Sequence, residues 1–319
     1  MHNVGVTFGN STPLMDDRWV RWNESQWGLR AHPVAYPIKG SSTRGLQGWL
    51  YLDGDGRVRM PPCNPYLPLH FSGTDTNRNS RRYRQWMTVA KMLAEDLLSR
   101  GMRGAISLPP GFLDARALKW SGFSIGVRYT TIISLPLDVA AIDKTIMNDV
   151  RKSRAMGYSV REETDWHAIH HCLRQSELRK GFSLKVDRTG LQRCQDLVGE
   201  RLVRAFVARD RQASPVCAIV TLFAPGAIAL GWASGTHTDH LRHGVMQLTR
   251  LTAIEILQRD GASGFDLCGS NIEAVAAAKA NWGGPLIPYI TAEQPGARAV
   301  ARSVRDMVKW WMASGIRRS

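Results

Sequence analysis

The sequence predicts an α/β (α+β) protein built from two tandem half-domains of like element order, each a mixed sheet flanked by helices. Three observations carry this. Residues 201–210, 216–223 and 227–234 are apolar or alternating runs separated by turn residues, followed by a helix-period segment at 245–259, a short strand at 264–269, an Ala-rich helix at 271–282 and a strand at 286–291. The first half repeats the order strands, long helix, strand, short helix, strand, without visible identity to the second. At 319 residues the chain is long enough for two domains rather than one.

In chain order, 46–53 and 57–60 flank the turn Asp53-Gly54-Asp55-Gly56 and read as a hairpin. Residues 61–68 are Pro-rich and irregular. Trp86, Val89, Ala90, Leu93 and Leu97 fall on one helical face of 79–100, with Gly101 just past the end. A short strand at 105–108 stops at Pro109-Pro110, a brief helix covers 114–119, and a long strand covers 124–135. A helix from 138 to 156, ended by Gly157, joins the halves; 158–162 opens the second, and helices at 166–179 and 189–200 precede its three strands. The expected boundaries are 1–137, 138–157 for the connecting helix, 158–294, and 295–319 for a basic C-terminal helix.

Composition narrows the function. The 42 Lys and Arg against 27 Asp and Glu leave +15, which favours an anionic partner: RNA, a nucleotide-linked substrate, coenzyme A or an anionic membrane surface. Five scattered cysteines without a C-x-x-C pair fit a reduced, cytoplasmic setting better than a disulfide framework. No run approaches the ~20 apolar residues of a membrane span, and no export signal is evident. There is no P-loop, dinucleotide G-x-G-x-x-G or G-x-S-x-G, which argues against NTPase, dehydrogenase and α/β-hydrolase chemistry. His237, His240 and His243, spaced by three in an expected loop, and His167 with His171 on a helix lack the companions of a strong metal site, so no metal is expected. Trp49, Trp120 and Trp232 are expected to fill cores.

The phrase Gly264-Phe265-Asp266-Leu267-Cys268-Gly269, followed by Lys279 and then Trp282-Gly283-Gly284, closely resembles the end of the FemABX (peptidyltransferase) domain. Asn148-Asp149-Val150-Arg151-Lys152-Ser153-Arg154-Ala155-Met156-Gly157-Tyr158 is similar to that family's basic helix, Gly, then strand, and Glu177-Leu178-Arg179-Lys180-Gly181-Phe182 to its R-x-G-F helix end. Asp114-Ala115-Arg116, Trp120-Ser121-Gly122-Phe123 and Arg128-Tyr129-Thr130 resemble its first half. The resemblance runs roughly from residue 46 to residue 291 and implies two GNAT-like halves, each strand–strand–strand–helix–strand–helix–strand. The chain departs from the family at Ala278, where an aromatic residue usually precedes the lysine, and at Leu108-Pro109, where branching enzymes tend to have Asp-Pro. It also lacks a segment long enough for the helical-hairpin insertion of some members.

The resemblance implies an aminoacyltransferase that moves an aminoacyl group from aminoacyl-tRNA to an amine and forms an amide, with no cofactor beyond the tRNA co-substrate. The acceptor is then an amine-bearing small molecule, peptide or peptidoglycan precursor, and the enzyme a monomer. The alternatives within the fold are an acyl-CoA-dependent N-acyltransferase and a non-catalytic RNA-binding protein. By the resemblance Lys279 stabilises the tetrahedral oxyanion. Asp266, alternating outward from its strand, anchors a catalytic or substrate group or caps the neighbouring helix. A GNAT enzyme holds the donor pyrophosphate on the helix start after its third strand, here Arg242, His243, Gly244 and Val245; the usual Gly spacing is broken, which favours tRNA over coenzyme A. Arg298, Arg302, Arg305 and Lys309 form one stripe of the expected C-terminal helix, suited to tRNA. Arg81, Arg82 and Arg84, with Arg128, Tyr129, Arg179, Lys180, Phe182 and Trp282, make up the expected acceptor side.

Overall fold

The computed structural model describes residues 12–294 apart from 75, 113, 182 and 183. The expected basic helix with Arg298, Arg302, Arg305 and Lys309 lies outside the described residues, as does Phe182.

The first half opens on α1 (Asp17–Trp27), absent from the sequence reading, whose start is capped by the Asp16 carboxylate on the Arg18 N–H and whose end is a left-handed Gly28. Then come β1 (Arg30–Pro37), β2 (Gly45–Leu52), β3 (Leu69–Ser72), α2 (Asn79–Arg100), β4 (Ile106–Ser107), α3 (Arg116–Trp120) and β5 (Ser124–Ser134). The expected hairpin of 46–53 with 57–60 forms only at its tip: Leu52 and Val58 make one antiparallel bridge, with the Asp53 N–H donating to the Arg57 carbonyl at 2.9 Å and the Arg59 N–H to the Tyr51 carbonyl at 2.8 Å. Along its length β2 pairs with β1, from Arg30↔Leu52 to Pro37↔Gly45. The Asp53 carboxylate accepts the N–H groups of Asp55 and Arg57, and Val58 then turns away to bond Gly101 and Arg103.

The second half holds α4 (Lys144–Ala155), β6 (Ser159–Glu162), α5 (Trp166–Lys180), α6 (Arg188–Val198), β7 (Val203–Arg209), β8 (Pro215–Leu222), β9 (Ile228–Thr236), α7 (Val245–Arg259), β10 (Gly264–Asp266), α8 (Glu273–Ala280) and β11 (Leu286–Glu293). The connection between the halves is shorter than the expected helix, a 3-10 turn (Val139–Ala141) followed by α4, whose cap is Asp143.

Strands β1, β2 and β3 form a small antiparallel sheet, and the other eight form one sheet in the order β4-β11-β5-β10-β9-β8-β7-β6. Its centre shows how the halves combine. β5, from the first half, lies between β11 and β10 of the second, while β11 pairs with both β4 and β5 of the first. Each half therefore lends its last strand to the other, and the sheet runs without a break across the expected boundary at 137/138.

Both faces of the large sheet are covered, so its central strands are apolar throughout rather than alternating. In β7, Ala205 and Val207 face the layer of α1, α5 and α6 with Trp19, Trp22, Ile169 and Leu191. Phe206 and Ala208 face α4 and α7 with Ile146, Val150, Leu248 and Ile254. Val89, Leu93 and Leu97 of α2 close a third cluster with Leu46, Leu50 and Leu69 of the small sheet. Each such side chain contributes about 1.5–3 kcal/mol by leaving water.

Helix α5 crosses β9 at Gly235, where a Cβ would fall inside van der Waals contact with the backbone of Cys172 and Leu173. Gly235→Ala is therefore expected to cost about 1–3 kcal/mol by overpacking against backbone. Gly54→Ala, with open space around it, is expected to stay within about 0.5 kcal/mol. Urea melts of the two variants check this; equal midpoints would mean that α5 and β9 are not packed this closely.

Candidate active site

The site begins where two parallel strands part. β9 and β10 run side by side only from Ile228↔Gly264 to Leu230↔Asp266. β10 then ends, while β9 stays on β8 as far as Thr236. At the point of parting β9 bulges: between the pairs Leu222↔Leu230 and Val220↔Ala233, Gly231 and Trp232 stand opposite the single Thr221. A Cβ at Gly231 would lie 3.2 Å from the Asp266 carbonyl oxygen, a tight contact that a side chain could enter only if its neighbours shifted. The parting strands leave a cleft of ≈ 610 Å³ lined by Arg59, Cys63, Asn64, Lys185, Trp232 and Cys268, so both halves form its wall. Burial pushes the Cys63 thiol up to about 12 and the Cys268 thiol well above its ordinary value, so neither is poised as a nucleophile.

Asp266 closes β10 and is 1% exposed. Its carboxylate accepts the Tyr66 hydroxyl at 2.9 Å, the Thr130 hydroxyl and the Cys268 N–H at 2.8 Å. Burial drives its pKa above the ordinary carboxylate range; these donors and the nearby Lys279 charge pull the other way without cancelling it. A buried, hydrogen-bonded carboxyl with a raised pKa is a candidate for proton-transfer chemistry; Asp266 itself does not line the cleft, whose wall includes Cys268, two residues on. Tyr66 stands edge-on to Tyr289 at 5.0 Å between ring centroids, and burial pushes the pKa of both phenols up. Tyr66 was missed in the sequence because it sits in the Pro-rich segment 61–68, where no periodicity marks an inward residue.

Lys279 does not project into solvent from α8. It is half-buried, and its ammonium donates to the carbonyl oxygens of Leu267 (2.5 Å), Cys268 (3.1 Å) and Gly269. The loop after β10 turns through a left-handed Cys268 at φ 52, which brings these carbonyls together. The loop is also tied to β5: Gly269 N–H donates to the Thr130 hydroxyl at 3.0 Å, Ser270 N–H to the Tyr129 carbonyl at 2.7 Å, and the Asn271 amide clasps the Tyr129 backbone at 2.8 and 3.0 Å. One positive charge thus sits at the end of the buried strand, beside a carboxyl of raised pKa.

Of the remaining predicted residues, Arg128 and Tyr129 are exposed on β5 next to this loop, with Arg128 facing the Tyr289 hydroxyl. Arg179 is engaged in structure, donating to the Thr236 carbonyl and the Ser176 hydroxyl. Trp282 does not line the site. It is 1% exposed, in the core with α7, with the Arg250 guanidinium 5.6 Å above its ring. Gly283 and Gly284 cause this, since they let the chain pass tightly against the backbone of Ala141 and Ile132 and turn the indole inward. Arg81, Arg82 and Arg84 are exposed at the start of α2, and no described contact joins them to the Asp266 cluster.

The expected pyrophosphate loop is packed from behind by α4. Gly244 lies against the backbone and Cβ of Asp149, Ser153 donates to the His243 carbonyl and Lys152 to that of Arg242, and Val245 is fully buried. The close passage of Asp149 leaves no space for a side chain at Gly244, the N-cap residue of α7. The histidines expected in a loop lie on and before a 3-10 turn (Thr238–His243): His237 Nε2 is 2.8 Å from His171 Nε2, and the Tyr158 hydroxyl bridges Nδ1 of His240 (2.6 Å) and His243 (2.7 Å). They fasten this turn to α5 and to the chain after α4. Among the described residues no group of three or more His, Cys, Asp or Glu is placed to hold a metal, and no helix is long and apolar enough to cross a membrane.

No protein-family model and no curated protein matches the sequence. Solved structures of similar fold include FemX, at TM-score 0.61 and 13% identity over 87% of this chain and 91% of that one. L-PGS from Bacillus licheniformis is similar at TM-score 0.55 and 10% identity over 94% and 98%. At such identities the likeness is one of fold: the chain has the architecture of FemX and L-PGS, the mixed α/β, tandem GNAT-like arrangement that its sequence predicts.

Proposed function

We propose that the protein is an acyltransferase that joins an acyl group to an amine, and that it moves an aminoacyl group from aminoacyl-tRNA to an amine acceptor. The observation that carries this reading is the buried Tyr66–Asp266–Thr130 cluster, with the Lys279 charge beside it, at the parting of β9 and β10. In such a reaction the amine nitrogen attacks the ester carbonyl, the C–N bond forms, the ester C–O bond breaks, and the 3′ hydroxyl of the tRNA leaves. The amine must lose a proton and the leaving oxygen must gain one. Asp266 suits this exchange through the Tyr66 hydroxyl, because its raised pKa makes it a better base than an ordinary carboxylate. Lys279 supplies the positive field that a developing oxyanion needs and holds the loop that carries it.

Three features favour tRNA over acyl-CoA as donor: the +15 charge, the packing of α4 behind the helix start at Gly244, and the sequence resemblance to FemABX enzymes. The experiment is to incubate the protein with charged tRNA, with and without candidate amines, and to follow deacylation and amide formation. Tight acetyl-CoA binding with acyl transfer, and indifference to tRNA at low salt, would overturn the donor. Binding of tRNA is expected to weaken steeply with salt as phosphate counterions are released.

Lys279→Met is expected to lower turnover by about 10²–10³-fold with donor affinity nearly unchanged. Near-wild-type turnover would remove Lys279 from the chemistry.

Asp266→Asn separates the carboxyl from its shape. A pKa raised in the folded state means that Asp266 contributes stability while protonated, and that this contribution is lost as pH rises through the folded pKa. The stability of Asp266→Asn relative to the parent should therefore increase as pH rises from about 4 toward and through the raised folded pKa, since the ordinary carboxyl titrates near 3.9, and its turnover should lie below the parent's. Urea midpoints across that range check the sign; parallel curves would show that Asp266 is not perturbed.

A further inference from the structure

The three arginines expected on the acceptor side belong to a different surface. Arg78, Arg81, Arg82 and Arg84 are all exposed at the start of α2, and among the described residues none meets a carboxylate. Cations at a helix start oppose its dipole, and this helix has neither a side-chain cap nor an acidic residue in its first turn to offset them. Between them Tyr83 is 40% exposed, and the Arg116 guanidinium of α3 lies 4.9 Å from its ring centroid. One helical turn beyond Arg116 is Trp120, which the sequence places in a core and which is instead 67% exposed.

We infer that the start of α2 together with α3 is a docking platform for single-stranded RNA, with Tyr83 and Trp120 as stacking surfaces for bases and the arginines, which are spread around the helix start, engaging the phosphates. The platform is rigid before any ligand arrives. Trp86 donates to the Asp114 carbonyl at 2.7 Å and packs on Phe71 and Phe112, which fixes α3 against α2. Asp114 in turn holds the Arg116 guanidinium through two hydrogen bonds, which keeps it over the Tyr83 ring. Beside it a groove of ≈ 540 Å³, walled by Asp114, Arg116, Lys119, Ile125 and Ile290, offers an unstacked base an apolar floor and a polar rim on which Arg116 is paired with Asp114 and Lys119 adds a further positive charge. Flat rings interleaved with guanidinium groups suit exposed bases, which stack without regard to sequence. A membrane surface would need a continuous exposed apolar face to bury, whereas the apolar face of α2, with Trp86, Val89, Leu93 and Leu97, is packed inward against the small sheet.

This platform shares its RNA partner with the proposed function but none of its chemistry, so the two are tested apart. The probe is a short, unstructured, fluorescein-labelled oligoribonucleotide, read by anisotropy against a blunt RNA duplex and against phosphatidylglycerol vesicles. The double variant Tyr83→Ala, Trp120→Ala is expected to lose about tenfold in affinity per ring with an unchanged salt slope, and the corresponding Phe variants to keep most of the affinity. The triple variant Arg81→Ala, Arg82→Ala, Arg84→Ala is expected to flatten the salt slope by about two units. Unaltered melting curves would confirm that these surface changes leave the fold intact. Equal binding of duplex and single strand, unchanged affinity in the aromatic variant, or vesicle binding that the oligonucleotide does not displace would each overturn the platform. A platform that binds the oligonucleotide in a protein that never uses charged tRNA would sink the donor reading alone.

Discussion

The antiparallel pairing of β5 with β10 and β11 is the constraint on which the site depends. It places Thr130, from the first half, directly against Asp266, from the second, and it gives the loop after β10 a backbone to hold. A carboxyl taken out of water costs several kcal/mol unless it finds donors. Asp266 finds three, from β5, from its own loop, and from Tyr66 in the first-half segment that lies over the sheet. Separating the halves would strip two of the three away. Exchange of the last strands therefore joins assembly of the fold to assembly of the chemistry.

The same pairing explains why Lys279 can be read as functional although its three donors are occupied. Its partners are carbonyls of one short loop, and their convergence depends on a left-handed backbone at a non-glycine residue, Cys268. Such a conformation costs energy of order 1–3 kcal/mol and persists only when its surroundings over-determine it. Here they do, because Asp266, Thr130, Tyr129 and Lys279 each fix a different part of the loop.

Much of this was legible in the sequence where periodicity was strong. α2 and α7 have the bounds that their apolar spacing gives, and the runs at 201–210, 216–223 and 227–234 became β7, β8 and β9. α1 and β1 were not legible: β1 contains two prolines and a mostly exposed first half, so it lacks the alternation that marks a strand. Motif similarity led to Asp266 and Lys279, yet nothing local could show that Tyr66 reaches Asp266 across 200 positions of sequence. The tryptophans show the limit most plainly. Trp120 and Trp282 each stand before a small residue or a glycine pair, but one is exposed and the other is under α7, and only the close passage of Gly283 and Gly284 over neighbouring backbone decides between them.

The distribution of charge follows from the fold in a similar way. Helices α2 and α7 occupy comparable places, α2 after the third strand of its half and α7 after the fourth, each before a short one. The start of α7 is closed by α4 and by Asp149, whereas the start of α2 has no such cover among the described residues. Five acidic residues form ion pairs elsewhere: Glu162 and Asp260 clamp Arg204, Glu163 holds Arg209, and Asp53 with Asp55 holds Arg103. These pairs tie neighbouring strands and turns together, and none of them involves the arginines of α2. Four exposed arginines, at 78, 81, 82 and 84, thus surround one helix start beside the exposed Tyr83. A concentrated charge can position a polyanion, whereas a diffuse one can only attract it.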